Sequence, residues 1–173
     1  MKKEQGAQRF SAIRVARIAT GAVLMFASQV ALASVPNVEI VTLLVLVSAM
    51  LWARDAIWMA LIFALLEGIL WGFGVWWLTY LVIWPGFAFL STLILRHLEG
   101  WFLKAVFMGA FGLSFGALFA LAYLPFDPRY ALNYWIMGIP FDLIHGAGNF
   151  VMGLVAGKPV YKVLSLVKET FRD

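Results

Sequence analysis

The stretch GIPFDLIHGAGN, residues 138–149, sets Asp142, His145 and Asn149 in a 173-residue chain that is 64% hydrophobic and only 13% charged. Their spacing of i, i+3 and i+7 puts an acid, a base and an amide on one face of a helix. Four chemistries suit such a face. Asp142 could orient His145 as a general base, but no serine or threonine is spaced to serve as its nucleophile. Asp142 and His145 could ligate a metal, but a third ligand is lacking, since His97 falls at the other end of the molecule. The three could form a structural polar network, or couple a ligand or partner to the helix. Pro140 is expected in the first turn of this helix, with Asp142 near its N-terminus, where the dipole favours an anion.

Other residues with chemistry lie upstream. Glu67 sits in FALLEGILW with no basic residue within a helical turn, so in an apolar medium it must face protein or a water-filled cavity. It reads either as a neutral, hydrogen-bonded structural group or as a ligand or proton site. Glu39, close to the start of a helix, is explained by capping or by contact with a ligand. Trp71, Trp76, Trp77, Tyr80 and Trp84 crowd fourteen residues and are interleaved with Gly68, Gly72 and Gly74. They fit an interfacial aromatic belt and, equally, a stacking pocket for a flat ligand.

The elements that must position these groups follow from hydropathy. A mean hydropathy of +0.91 lies far outside the range of water-soluble domains and implies an all-α integral membrane protein. Apolar runs broken by charges and turn residues give six helices, near 11–33, 38–53, 55–75, 79–96, 103–124 and 134–157. The second is short for a bilayer and is expected to be partly shielded from lipid. Ser34-Val35-Pro36-Asn37 and Leu124-Pro125-Phe126-Asp127-Pro128 read as turns. No linker divides the chain, so 1–173 is one membrane domain. Cysteine is absent, which excludes disulfides and thiolate chemistry. Ala31-Leu32-Ala33 has the form of a signal-peptide cleavage site, but the preceding basic stretch is long for one, and a retained first helix is expected.

With six spans and a cytoplasmic N-terminus, twelve of the thirteen Lys and Arg residues fall on the cytoplasmic side, leaving Arg129 outside. Both termini are then cytoplasmic. The charge of +4 is explained by basic residues bordering an anionic leaflet, without nucleic acid. The outer half becomes aromatic and acidic, gathering Glu39, Glu67, Trp71, Trp76, Tyr80, Trp84, Arg129, Tyr134, Trp135 and Asp142 as candidate ligand contacts. Ala12, Ala16 and Thr20, four apart on the first helix, make a stripe suited to close helix packing. Residues 158–173 form a cytoplasmic tail, either an interfacial helix or a continuation of the last span.

The run from Gly138 to Phe150 resembles the last-helix segment of the substrate-binding S components of energy-coupling factor (ECF) vitamin transporters. Six helices, small size and a basic cytoplasmic start are similar to that family as well. The resemblance covers the whole chain in architecture, and at motif level this stretch and the first helix. It implies a multi-pass protein of a prokaryotic plasma membrane that binds a vitamin or related micronutrient on the extracellular side. It also implies partners: a transmembrane coupling protein and two cytoplasmic ATPases, on which the S component reorients to deliver its cargo. Ala12 and Ala16 match the family's docking stripe, while Thr20 departs from alanine but stays small. His145 and Asn149 are then expected to fasten the last helix as a structural network.

The chain lacks a GxxxxGK[ST] phosphate loop, so ATP is expected to be used by the partners; no cofactor, metal or catalytic residue is expected in this subunit. The outer residues suit a heteroaromatic ligand with hydrogen-bond donors or positive charge better than a simple carboxylate. Cobalamin or a corrinoid is slightly favoured among the family's substrates. Two other classes stand beside this reading: an intramembrane enzyme using Asp142 and His145, and a structural subunit without a small ligand.

Overall fold

The computed structural model describes residues 12–170, so Lys2, Lys3, Arg9 and Arg172 of the basic count lie outside the described residues. Six α-helices follow one another: α1 (Ala12–Leu32), α2 (Val41–Trp52), α3 (Arg54–Trp71), α4 (Val75–Ile94), α5 (Gly100–Leu121) and α6 (Pro128–Thr170). A 3₁₀ turn, Leu95–His97, ends α4. No strand occurs among the described residues. Four helical segments, Ala12–Leu32, Val75–His97, Gly100–Leu121 and Pro128–Glu169, are long and apolar enough to cross a membrane. Their outer faces carry exposed Val23, Val82, Phe89, Leu113, Leu143 and Val155, the surface expected where the solvent is lipid.

The short second helix is the axis of the bundle. Ten of its twelve residues are buried, and it touches all five other α-helices. Its uniform run of Val, Leu, Thr, Ser and Ala has no polar face to offer water, as befits a helix enclosed on every side. At about 18 Å it is shorter than a bilayer core. Ala53 joins it to α3 at φ 46°, a left-handed position that strains any residue with a Cβ.

Alanine and glycine set the remaining contacts. On α5 and α6, Gly109, Gly112 and Gly116 face Phe150, Gly146 and Asp142, while Gly153 lies against Ala105 and Gly157 against Trp101. Removing the Cβ at these points lets the two backbones approach closely over most of α5. Between α3 and α4 the turn runs through Gly72 at φ 88°, and the Trp77 indole donates to Ala64 O at 2.9 Å. Gly68 makes room for that indole, not for a ligand.

Helix α6 departs from expectation at its start, and at its end takes one of the two expected forms. It begins at Pro128, six residues before the expected start, because Asp127 Oδ1 accepts the backbone N–H groups of Arg129 and Tyr130 at 2.9 and 3.1 Å. This is an N-cap followed by proline at the first helical position. Pro140 therefore lies in the helix interior, and Asp142 is far from the N-terminal dipole; it neither starts nor polarises the helix. At the other end the helix runs unbroken through Pro159 to Thr170, so the tail continues the last helix. Its 43 residues extend about 65 Å, roughly twice the thickness of a bilayer core.

Chain direction alternates from helix to helix, which gathers Arg14, Arg17, Arg54, Arg96, Lys104, Lys158, Lys162 and Lys168 toward one end. There the Asp55 carboxylate, buried, takes both Arg14 and Arg17, and Lys168 Nζ donates to Leu51 O. Arg129 stands near the opposite end, on the first turn of α6.

Candidate functional site

The polar side chains that the sequence scatters over three segments meet where the start of α2 crosses the middle of α6. Glu39 precedes α2 and accepts from the Thr42 N–H at 2.8 Å; the Thr42 hydroxyl also donates to it. Asn149 on α6 donates to the same Thr42 Oγ1 at 3.2 Å. One turn away, His145 Nε2 stands 3.5 Å from Glu39 Oε1, with its ring edge-on to Phe115 at 4.9 Å. Glu39, Thr42, His145 and Asn149 are all buried, so each polar contact acts in a low dielectric, where leaving it unmade is costly. Glu39 thus caps α2 and also joins α2 to α6.

Asp142 has a different anchor. Its Oδ1 accepts the Gly116 N–H of α5 at 2.8 Å, while its Oδ2 is buried without a hydrogen-bond partner. A Cβ at position 116 would sit 2.5 Å from that oxygen, so only glycine leaves room for the carboxylate. His145 takes Glu39 as its partner, and Asp142 takes the α5 backbone; the two share a helix face without forming an acid–base dyad.

These groups border two adjoining cavities. The smaller, about 240 Å³, is lined by the α1–α2 connection (Val35, Pro36, Asn37, Val38, Glu39) and by Tyr80, Trp84, Phe115 and His145. The larger, about 550 Å³, lies between α5 and the outer part of α6, against Phe119, Tyr130, Asn133, Tyr134 and Asp142. Asn37, Phe115 and His145 border both. The larger cavity is of the size that holds drug-like ligands. Asn37 adopts φ 60°, a left-handed conformation that asparagine tolerates better than most residues.

An aromatic wall backs the smaller cavity. Trp76, Tyr80 and Trp84 recur every four residues on α4, each ring edge-on to the next at 5.3 and 5.8 Å. Phe63, Phe111, Phe115 and Phe119 extend the wall from α3 and α5. Trp84 is 2% exposed; its Nε1 lies near the Tyr80 hydroxyl but meets no partner in hydrogen-bond geometry.

Of the residues expected at a ligand site, Glu39, Tyr80, Trp84, Tyr134 and Asp142 line one or other cavity. Trp76 supports Tyr80 from behind. Glu67 is buried with Oε1 unpartnered and lines neither cavity. Trp71 and Trp135 are 55% and 42% exposed, and Arg129 is exposed as well; none of the three reaches a cavity. His145, expected in the structural network once the family resemblance is drawn, borders both cavities. Phe115, Phe119 and Gly116 escaped the sequence reading, because an α5 rich in Phe and Gly offers no polar signal. Among the described residues no group of three His, Cys, Asp or Glu side chains is placed to hold a metal.

At the basic end, Ala12, Ala16 and Thr20 are exposed and line a groove of about 480 Å³. Leu44, Ser48 and Trp52 of α2 and Leu164, Val167 and Lys168 of α6 form its other walls. Comparison with protein-family models, with curated proteins and with solved structures gave no match.

Proposed function

We propose that the chain is the substrate-binding S component of an ECF transporter in a prokaryotic plasma membrane, with six spans and both termini cytoplasmic. It binds a vitamin or related micronutrient from outside and reorients on a coupling protein driven by two ATPases. The observation that carries this reading is the separation of two surfaces. A ligand-sized, polar and aromatic double cavity lies at the end poor in basic residues, and an exposed stripe of small residues borders an apolar groove at the basic end. A binding subunit needs the first, and a subunit without an ATPase needs the second. In the six-span reading α2 is enclosed by the other helices and Glu67 lies on the buried face of α3, so the short α2 and Glu67 meet protein and not lipid. Cobalamin or a corrinoid stays slightly favoured among vitamin-type ligands, and the larger cavity, about 550 Å³, is in the range of small-molecule sites.

The enzyme reading uses Asp142 and His145, but Asp142 is held by the Gly116 amide and His145 faces Glu39, while the Thr42 hydroxyl beside Glu39 is fully buried and occupied by Glu39 and Asn149. Co-expression with an ECF coupling protein and its ATPases tests the proposal. The wild-type chain should copurify with them and support uptake of one vitamin. Ala16→Trp should abolish both while leaving vitamin binding to the isolated chain intact. Uptake and assembly unchanged by Ala16→Trp would overturn the docking assignment. A wild-type chain that neither assembles with them nor binds any vitamin would overturn the proposal.

A further inference from the structure

We infer that the ligand of the double cavity is a non-anionic molecule that presents N–H groups to Asp142 and Glu39 and lays a flat ring against Trp84 and Phe115. The inference rests on the reading of the chain as a binding subunit and specifies what that subunit recognises. Among the described residues two carboxylates border the cavities and no Lys or Arg does. Arg129, the one cation expected nearby from the sequence, is exposed at the start of α6 and absent from both linings. An ionised carboxylate only accepts hydrogen bonds. Asp142 is 7% exposed, spends Oδ1 on the Gly116 amide and leaves Oδ2 without a donor. A buried acceptor in that state calls for a donor from outside the chain.

Glu39 is partly satisfied by Thr42, but His145 stands 3.5 Å from its Oε1, at the far limit of a hydrogen bond. It too can take an N–H from a ligand. A carboxylate or phosphate entering this space would meet two like charges with no guanidinium or ammonium to offset them. An amide, amidinium or ammonium meets acceptors. Asn37, on the border of both cavities, and Asn133 supply neutral donors and acceptors for the rest of such a ligand. Trp84, Phe115 and Phe119 offer ring faces and edges that suit a planar heterocycle, and a cationic one gains further from the aromatic quadrupole.

Three planar probes of matched shape and different charge test this: benzamidine, benzamide and benzoate. Each is titrated at pH 7.5 against the full chain in lipid nanodiscs, read by tryptophan fluorescence and thermal shift. Benzamidine should bind at least tenfold more tightly than benzoate, with benzamide between. Asp142→Asn should weaken benzamidine at least tenfold and narrow its lead over benzoate, leaving the part due to Glu39. Gly116→Ala keeps the carboxylate but displaces it, and should weaken benzamidine in the same direction, which guards against misfolding of the first variant. Tighter binding of benzoate, or benzamidine binding indifferent to both substitutions, overturns the ligand class and leaves the binding-subunit reading standing. Absence of binding by all three also overturns it, while copurification with the ATPases continues to decide the subunit reading independently.

Discussion

Gly112→Ala tests the helix contact on which the site is built. A Cβ there would meet Gly146 Cα at 2.9 Å, His145 O at 2.9 Å and Asn149 Nδ2 at 3.0 Å. Carbon atoms pack at about 3.5–4.0 Å, and a gap opened by 0.5–1 Å forfeits about a quarter to a half of each dispersion contact. Two of the three obstacles are backbone atoms of α6, which cannot rotate away, so α5 and α6 must part. Overpacking of this kind costs about 1–3 kcal/mol. Gly86→Ala on α4 is the matched control: nothing lies within 4 Å of its added Cβ, and it gains the same helix propensity, up to about 1 kcal/mol. That gain cancels in the comparison, so the two variants should differ by about 1–3 kcal/mol. Unfolding of both in one detergent, followed by circular dichroism against a denaturing surfactant, reads the difference. A Gly112→Ala protein as stable as Gly86→Ala would refute the close contact between α5 and α6.

Other perturbations act on other joints. Asp55→Ala leaves Arg14 and Arg17 without their shared carboxylate; their side chains are 32% and 27% exposed, so water recovers part of the loss and the cost is about 1–3 kcal/mol. Because the chain has no cysteine, thiol labelling of an Ala22→Cys reporter on the buried face of α1 should accelerate about tenfold in that background, as 1.4 kcal/mol implies; an unchanged rate would show that the ion pairs do not hold α1. Ala53→Gly relieves the left-handed φ of 46° and should stabilise the protein by about 1 kcal/mol, seen as a higher unfolding midpoint; a lower midpoint would contradict the strain. Asn149→Ala removes the donor to Thr42 and should destabilise by about 1–3 kcal/mol, whereas loss of less than 0.5 kcal/mol would mean that the polar contact between α2 and α6 is idle.

The sequence displays its helices because each is an apolar run closed by charge, glycine or proline, and all six are found within a few residues of their expected bounds save the last. The start of α6 was present as Asp127-Pro128, a cap and a first-turn proline, but a second proline at 125 made the whole stretch read as turn. Its end was obscured by Lys158-Pro159, which breaks helices in water. The helix nonetheless continues through Pro159 to Thr170, although Pro159 removes the donor to the Val155 carbonyl. The ladder Trp76, Tyr80, Trp84 is legible as a spacing of four. Trp71 and Trp77 fall off that face, which local density concealed. The meeting of Glu39 with His145 and of Thr42 with Asn149 spans 106 and 107 residues; no local pattern encodes such a pairing. Nor does any polar residue mark Phe115, Phe119 and Gly116, although α5 forms a wall of both cavities.

The central claim is that the double cavity holds one micronutrient without transforming it. The most direct measurement is to purify the chain from cells grown in rich medium, denature it, and identify by mass spectrometry what it releases. The account predicts about one molar equivalent of a single small molecule, chemically intact, from the wild-type chain and none from a folded Glu39→Gln, Asp142→Asn double variant. A wild-type chain that releases nothing, or a double variant that releases the same compound in the same amount, would contradict it.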